Sequence, residues 1–260
     1  SNGNMLFPGL IETLRSSVRM EAVDRPPLPV PSGSGPIKTS IERPVFIVAA
    51  PRSGSTMLFE MMAANDAFMT LGDEGHGHVE SIGGLHPQSR NFESNRLVAS
   101  DARAPVADQL RTNYLRAMLT SQGKPLISLG AGMPKAVRFL EKPPKNALRV
   151  PFLKAVFPDA KFIFLHRDAR SNISAIMEAW SSGRFVTYPA LPGWDGPPWS
   201  MLLIPDWPKL SGRPIAEIAM RQWRDSNEVI GNDLTALPPE DWCSVTYDEA
   251  VNPPEATLER

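Results

Sequence analysis

Arg52, Ser53, Gly54, Ser55 and Thr56 follow one another directly after Pro51. Three hydroxyls, a planar cationic fork and a glycine that permits a tight turn are the parts of an anion pocket. A guanidinium offers a tetrahedral oxyanion several N–H donors at once. A helix starting behind such a loop adds unpaired backbone N–H groups carrying partial positive charge. The ligand this suits is a phosphate or a related tetrahedral oxyanion. The loop is not the signature G-x-x-x-x-G-K-[ST], because it holds no lysine, which weakens an ordinary ATPase or GTPase reading. A second turn has the same character. Arg167 and Asp168 precede hydroxyls at Ser171 and Ser174, three residues apart on one helical face. Two such turns in one domain suit a ligand with two separated phosphates.

Candidate bases cluster in Leu71-Gly72-Asp73-Glu74-Gly75-His76-Gly77-His78-Val79-Glu80. Glu74 could take a proton from a substrate hydroxyl, and His76 competes, since histidine is the commonest general base. Asp73, Glu74, His76, His78 and His86 together contain metal-ligand chemistry, but their spacing fits no defined metal signature, and no metal is assigned.

These residues need elements to hold them. Pro44 to Ala50 is a continuous apolar run with β-branched residues, as in a strand buried on both faces. Leu58, Met61 and Met62 then recur at helical spacing. Lys161 to His166 repeats the strand pattern, Asp168 suits a helix N-cap, and Ile173, Ile176, Met177 and Trp180 form the following apolar stripe. Val137 to Lys142 reads as a shorter strand, and Pro151 opens a helix through Phe157. Pro214 opens a long helix that Gly231 should stop, and Trp242 to Tyr247 is a last strand. Strands alternating with helices predict an α/β fold, a P-loop-like doubly wound parallel sheet flanked by helices, with ligands at the carboxyl ends of the strands.

The chain of 260 residues, 42% hydrophobic and 21% charged, is long enough for one sizeable domain. A net charge of −1 offers no general attraction for nucleic acid. The single Cys243 excludes an internal disulfide framework and points to a reducing, cytoplasmic setting. No apolar run reaches the ~18–20 residues of a membrane span, and no secretory signal stands at the start. Residues 8–21 read as a short helix and 21–43, rich in proline and glycine, as a linker to a domain over 44–260. The segment from Pro253 to Arg260 reads as a helix cut in mid-pattern, so the natural chain is expected to continue.

Four stretches then occur in order: Pro51-Arg52-Ser53-Gly54-Ser55-Thr56, Glu141-Lys142-Pro143-Pro144-Lys145-Asn146, Phe157 to Asp168, and Val245-Thr246-Tyr247-Asp248-Glu249. This set resembles the sulfotransferases that use 3′-phosphoadenosine 5′-phosphosulfate, in the bacterial and tyrosylprotein-type branch with a P-R-S-G-[ST]-T loop. The resemblance runs from about Pro44 to Leu258. It implies that Arg52, Ser53, Gly54, Ser55 and Thr56 cradle the 5′-phosphosulfate and that Arg167 holds the 3′-phosphate. The family's usual serine eight residues later is Ala175 here, leaving Ser171 or Ser174 as substitutes. Met57 stands where the steroid- and phenol-type enzymes carry an adenine-stacking tryptophan. Lys142 matches the branch's K-x-P lysine and would add positive charge beside Arg52. Gly72-Asp73-Glu74 matches a G-E-E stretch with a one-residue shift, which favours Glu74 over His76 as base.

The implied reaction is in-line transfer of a sulfuryl group to an acceptor hydroxyl, without a metal. A kinase of similar fold and a non-catalytic nucleotide-binding module are the alternatives. Tyr188 to Pro214 holds Trp194, Trp199, Trp207 and the apolar run Met201 to Ile204 among six prolines before Pro214. Such a stretch is expected to form a lid or wall over a partly apolar acceptor, a small molecule or a carrier-bound chain.

Overall fold

Val45, Phe46, Ile47 and Val48 are all buried, which a strand achieves only inside a sheet covered on both faces. The computed structural model describes residues 37–252 except Asp73; the expected helix at 8–21, the linker through residue 36 and the helix start at 253–260 lie outside the described residues. The strands are β1 (Ser40–Ile41), β2 (Val45–Val48), β3 (Phe68–Met69), β4 (Ala136–Glu141), β5 (Lys161–His166), β6 (Val186–Tyr188), β7 (Trp199–Ser200) and β8 (Trp242–Thr246). The helices are α1 (Ser55–Ala63), α2 (His76–Glu80), α3 (Ala104–Ala117), α4 (Val150–Val156), α5 (Ala169–Ser182), α6 (Ile215–Thr235) and α7 (Tyr247–Val251).

The main sheet runs β1-β4-β2-β5-β8, with β3 also paired to β4, and every pairing in it is parallel. Strands β6 and β7 form a separate antiparallel pair. Because side chains alternate along a strand, β2 feeds two cores. Phe46 and Val48 join Leu110 and Tyr114 of α3, Phe152 of α4, Ile176 of α5 and Ile230 of α6. Val45 and Ile47 meet Leu58 of α1 and Ala250 of α7 on the opposite face. The expected doubly wound α/β architecture is thereby realised. Among the described residues no helix is long and apolar enough to cross a membrane.

Several boundaries differ from expectation. Ser40 and Ile41, placed in the linker by composition, form β1: Ser40 N–H donates to the Lys135 carbonyl at 2.9 Å and Glu42 N–H to Val137 at 2.9 Å. Helix α6 runs past Gly231 to Thr235. Ile230 and Leu234 are both fully buried, and their packing outweighs the ~1 kcal/mol cost of an interior glycine. On α1 only Leu58 is buried, while Met61 and Met62 are half-buried.

Within the 188–210 stretch, Trp199 to Ile204 is core rather than lid, while most of 192–198 is exposed. Trp199, Leu202, Leu203 and Ile204 have no exposure. The Trp199 ring meets Trp180, Trp194 and Trp207 edge-on at 5.3, 5.1 and 5.8 Å. Its irregular backbone is satisfied by buried amides. Gln222 Nε2 donates to the carbonyls of Ser200 and Leu202 at 2.9 and 3.0 Å, and Leu203 N–H donates to Asn95 Oδ1 at 2.6 Å. Polar partners inside the core let proline-rich chain pack there. Trp199→Ala is therefore expected to lower unfolding free energy by about 3–5 kcal/mol in a denaturant titration; a loss confined to acceptor KM, with stability unchanged, would restore the lid.

Candidate active site

Strands β2 and β5 run side by side in register from Val45↔Lys161 to Val48↔Phe164. The polar turns that follow them therefore open at the same edge of the sheet. In the first turn Arg52 and Gly54 both have left-handed backbones, with φ of 64° and 95°. Gly54 is the N-cap of α1, and no side chain bonds to the helix start. The first N–H groups of α1 are thus left for a ligand. A Cβ on Gly54 would lie 2.6 Å from the Tyr247 ring, so close packing as well as φ requires glycine there.

Ser53 departs from the implied cradle. It is fully buried, and its hydroxyl lies 2.7 Å from the Ala50 carbonyl and 2.8 Å from Asn172 Oδ1. The Asn172 amide in turn donates to the Pro51 carbonyl at 2.7 Å. Ser53 holds the loop from below, and its hydroxyl does not face a ligand. Arg52 is exposed, with its guanidinium carbon 4.7 Å from the Phe185 ring centre. Ser55 is half-buried and Thr56 exposed at the start of α1.

Lys142, immediately after β4, reaches across from the neighbouring strand. Its ammonium donates to Thr56 Oγ1 at 2.9 Å and to Glu74 Oε1 at 3.1 Å. The loop after β2, a cation and a candidate base thus form one hydrogen-bonded chain. Glu74 is exposed; the His76 backbone N–H donates to its carbonyl at 2.7 Å. Burial, and next the Lys145 ammonium, hold His76 below the ordinary histidine range, so its ring is neutral at pH 7. Asp73 lies outside the described residues, and among those described no group of three or more His, Cys, Asp or Glu is placed to hold a metal.

Behind Glu74 stand charges that the sequence patterns did not single out. Glu141 is buried and accepts from Tyr114 Oη at 3.1 Å and Asn146 Nδ2 at 3.0 Å. A Cβ on Gly75 would sit 2.1 Å from Glu141 Oε1 and 2.4 Å from Leu71 Cδ1, so a side chain there would force these buried groups to shift. Glu80 at the end of α2 takes Lys145 at 2.8 Å and Arg149 at 2.7 Å. Burial alone would raise the Glu80 pKa, but Arg149 and then Lys145 outweigh it and hold the carboxyl below the ordinary range. The segment from Glu141 to Arg149 therefore fastens the 74–80 segment at three points.

In the second turn Asp168 caps α5, accepting from Ser171 N–H at 2.9 Å. That bond comes first among the causes holding its carboxyl below the usual range. This helix start already has its anion, and beside it Arg167 is half-buried, with its guanidinium carbon 4.6 Å from the Tyr247 ring centre. Ser171 is half-buried, Ser174 exposed and Ala175 half-buried. Asn172, Tyr247 and Phe185 received no role from sequence. The one available signal was the place of Asn172 in the first turn of the second strand–turn–helix unit.

The model of the family described as "Sulfotransferase family" matches residues 44–260. Protein-tyrosine sulfotransferase A of Caenorhabditis elegans is 22% identical over 218 residues, covering 83% of this chain and 48% of the relative. The chain thus spans about half the length of that curated relative. Among solved structures, a sulfotransferase from Mycobacterium avium is 17% identical, covers 87% of this chain and 63% of its own, and has a TM-score of 0.49. One from Mycobacterium tuberculosis H37Rv is 18% identical over 85% of this chain and 66% of its own, with a TM-score of 0.47.

Two predictions concern these supports. Asn172→Leu leaves the buried Pro51 carbonyl without its donor and should cost about 1–3 kcal/mol in thermal or denaturant unfolding; an unchanged stability would contradict the anchor. Glu80 has a depressed pKa in the folded protein. Its contribution to stability is therefore present above the unfolded value of about 4.3 and is lost as pH falls through the folded value. Glu80→Gln should cost about 3–5 kcal/mol at pH 7 and flatten the acid limb of the stability profile, measured by urea unfolding across that window.

Proposed function

Because this chain belongs to the sulfotransferase family, we propose that it transfers a sulfuryl group from 3′-phosphoadenosine 5′-phosphosulfate to an acceptor hydroxyl. The observation that carries this reading is the Thr56–Lys142–Glu74 chain, which couples an oxyanion loop to a carboxylate through one ammonium. The donor fits the charge layout: two arginines on adjacent turns for its two ends, and an open helix start at α1.

In this mechanism the acceptor oxygen attacks sulfur in line with the bond to the 5′-phosphate. Glu74 takes the hydroxyl proton as the new S–O bond forms. The old S–O bond breaks, and its electron pair leaves on adenosine 3′,5′-bisphosphate. Arg52, Lys142 and the N–H groups of α1 stabilise the charge growing on that phosphate. Arg167 holds the 3′-phosphate, with half-buried Ser171 favoured over exposed Ser174 as its hydroxyl partner. His76, neutral and beside Glu74, is the second candidate for the proton. The acceptor is proposed as a hydroxyl-bearing small molecule or carrier-bound chain. A reducing, cytoplasmic setting is proposed on the single cysteine.

Calorimetric titration with adenosine 3′,5′-bisphosphate and with ATP–magnesium tests the reading. The bisphosphate should bind and ATP should not compete; preference for ATP would favour a kinase. Arg167→Ala should weaken the bisphosphate by about ten- to a hundredfold while leaving adenosine 5′-phosphosulfate nearly unaffected. Glu74→Gln should lower turnover roughly 10²–10⁴-fold with bisphosphate affinity retained; a fully active Glu74→Gln moves the base to His76.

A further inference from the structure

Arg52 and Arg167, the arginines of the two polar turns, are held in the same way. Each guanidinium lies over an aromatic face, Phe185 at 4.7 Å and Tyr247 at 4.6 Å. Among the described residues neither forms an ion pair with a carboxylate. The supporting cations differ in having carboxylate partners: Lys145, although it also lies over the Tyr188 ring, and Arg149 share Glu80, and Arg96 takes Asp233. A carboxylate partner orients a cation but neutralises it and competes with an incoming anion. An aromatic face orients it through the ring quadrupole and leaves its charge and N–H edge available.

Phe185 is well fastened for this purpose. It is half-buried between α5 and β6, and its carbonyl accepts from Met201 N–H at 2.8 Å. Arg52 stands opposite it on a left-handed backbone, φ 64°, which a non-glycine residue adopts only when its surroundings impose it. We infer that Phe185 is a positioning residue for Arg52, a neutral platform that sets the guanidinium at the phosphosulfate end without discharging it. The inference rests on the sulfuryl-transfer reading for its effect on rate. Since Arg52 meets more charge as the S–O bond breaks than before, the platform should act on kcat more than on donor KM.

The test is a double-mutant cycle in the full chain, using Phe185→Leu, Arg52→Ala and both together. The rate measured is release of adenosine 3′,5′-bisphosphate from 3′-phosphoadenosine 5′-phosphosulfate with water as acceptor. Phe185→Leu should slow it about three- to thirtyfold, Phe185→Tyr should restore it, and Phe185→Leu should add little in the Arg52→Ala background. Additive effects, or a Phe185→Tyr as slow as Phe185→Leu, would overturn the platform. A wild type that leaves the donor intact and also fails to bind adenosine 3′,5′-bisphosphate sinks the transfer reading instead. The platform is then read by NMR without ligand: the Arg52 Nε–H resonance should carry an upfield ring-current shift that Phe185→Leu abolishes. An unshifted resonance in the wild type overturns the inference whatever the activity.

Discussion

The fully buried amide of Asn172 is the contact on which the rest of the site depends. An anion loop must turn its cations and N–H groups outward, and its remaining polar groups are then pushed toward the core. Here Arg52 and Gly54 both take left-handed conformations on either side of Ser53, and such a backbone does not hold itself. Asn172 bonds both inward-facing groups, donating to the Pro51 carbonyl and accepting from the Ser53 hydroxyl. A neutral amide does this without adding a negative charge beneath an anion site, which an aspartate would. Because Asn172 lies in the first turn of α5, it also ties the loop after β2 to the turn after β5. The two polar turns are thereby one linked unit rather than two independent loops.

Charge is layered behind that unit. Nearest the loop, Lys142 pairs with an exposed Glu74, an arrangement a ligand can rearrange at small cost, since surface ion pairs are weak. Deeper, Glu80, Lys145 and Arg149 form a pair-and-a-half that is almost entirely out of water. Charges taken that far from solvent persist only when closely paired and hydrogen-bonded. The difference in burial separates their roles. The outer pair can exchange partners during a reaction, whereas the inner cluster keeps the 74–80 segment in place.

The frame was legible from the sequence because it follows periodicity. Continuous apolar runs at Val45–Val48 and Lys161–His166 became central parallel strands, and Asp168 became the cap its position suggested. The loop between β2 and α1 was legible as well, since glycine, hydroxyls and arginine crowd into six residues. What could not be seen was direction. A serine in an anion loop reads as a ligand donor, yet Ser53 points inward, because facing depends on the φ of its neighbours and not on its type. Tryptophans among prolines read as a surface lid, yet Trp199 is core. The missing information was distant: Gln222 on α6 and Asn95 supply the bonds that let an irregular chain be buried.

The glycine of the oxyanion loop shows how such distant constraints meet. Its usual explanation is the ligand: without a side chain, the backbone can approach a phosphate. In this protein a second demand is equally strict. The ring of Tyr247, at the start of α7, fills the space a Gly54 Cβ would need and also lies beneath the Arg167 guanidinium. One aromatic side chain therefore touches both turns. Tyr247 arrives from β8, on the far side of β5 from β2, so the order of strands in the sheet decides which ring can reach. Gly54, Tyr247 and Arg167 form a stack in which the first must be small for the second to support the third. A larger residue at position 54 would therefore disturb the second turn as well as its own.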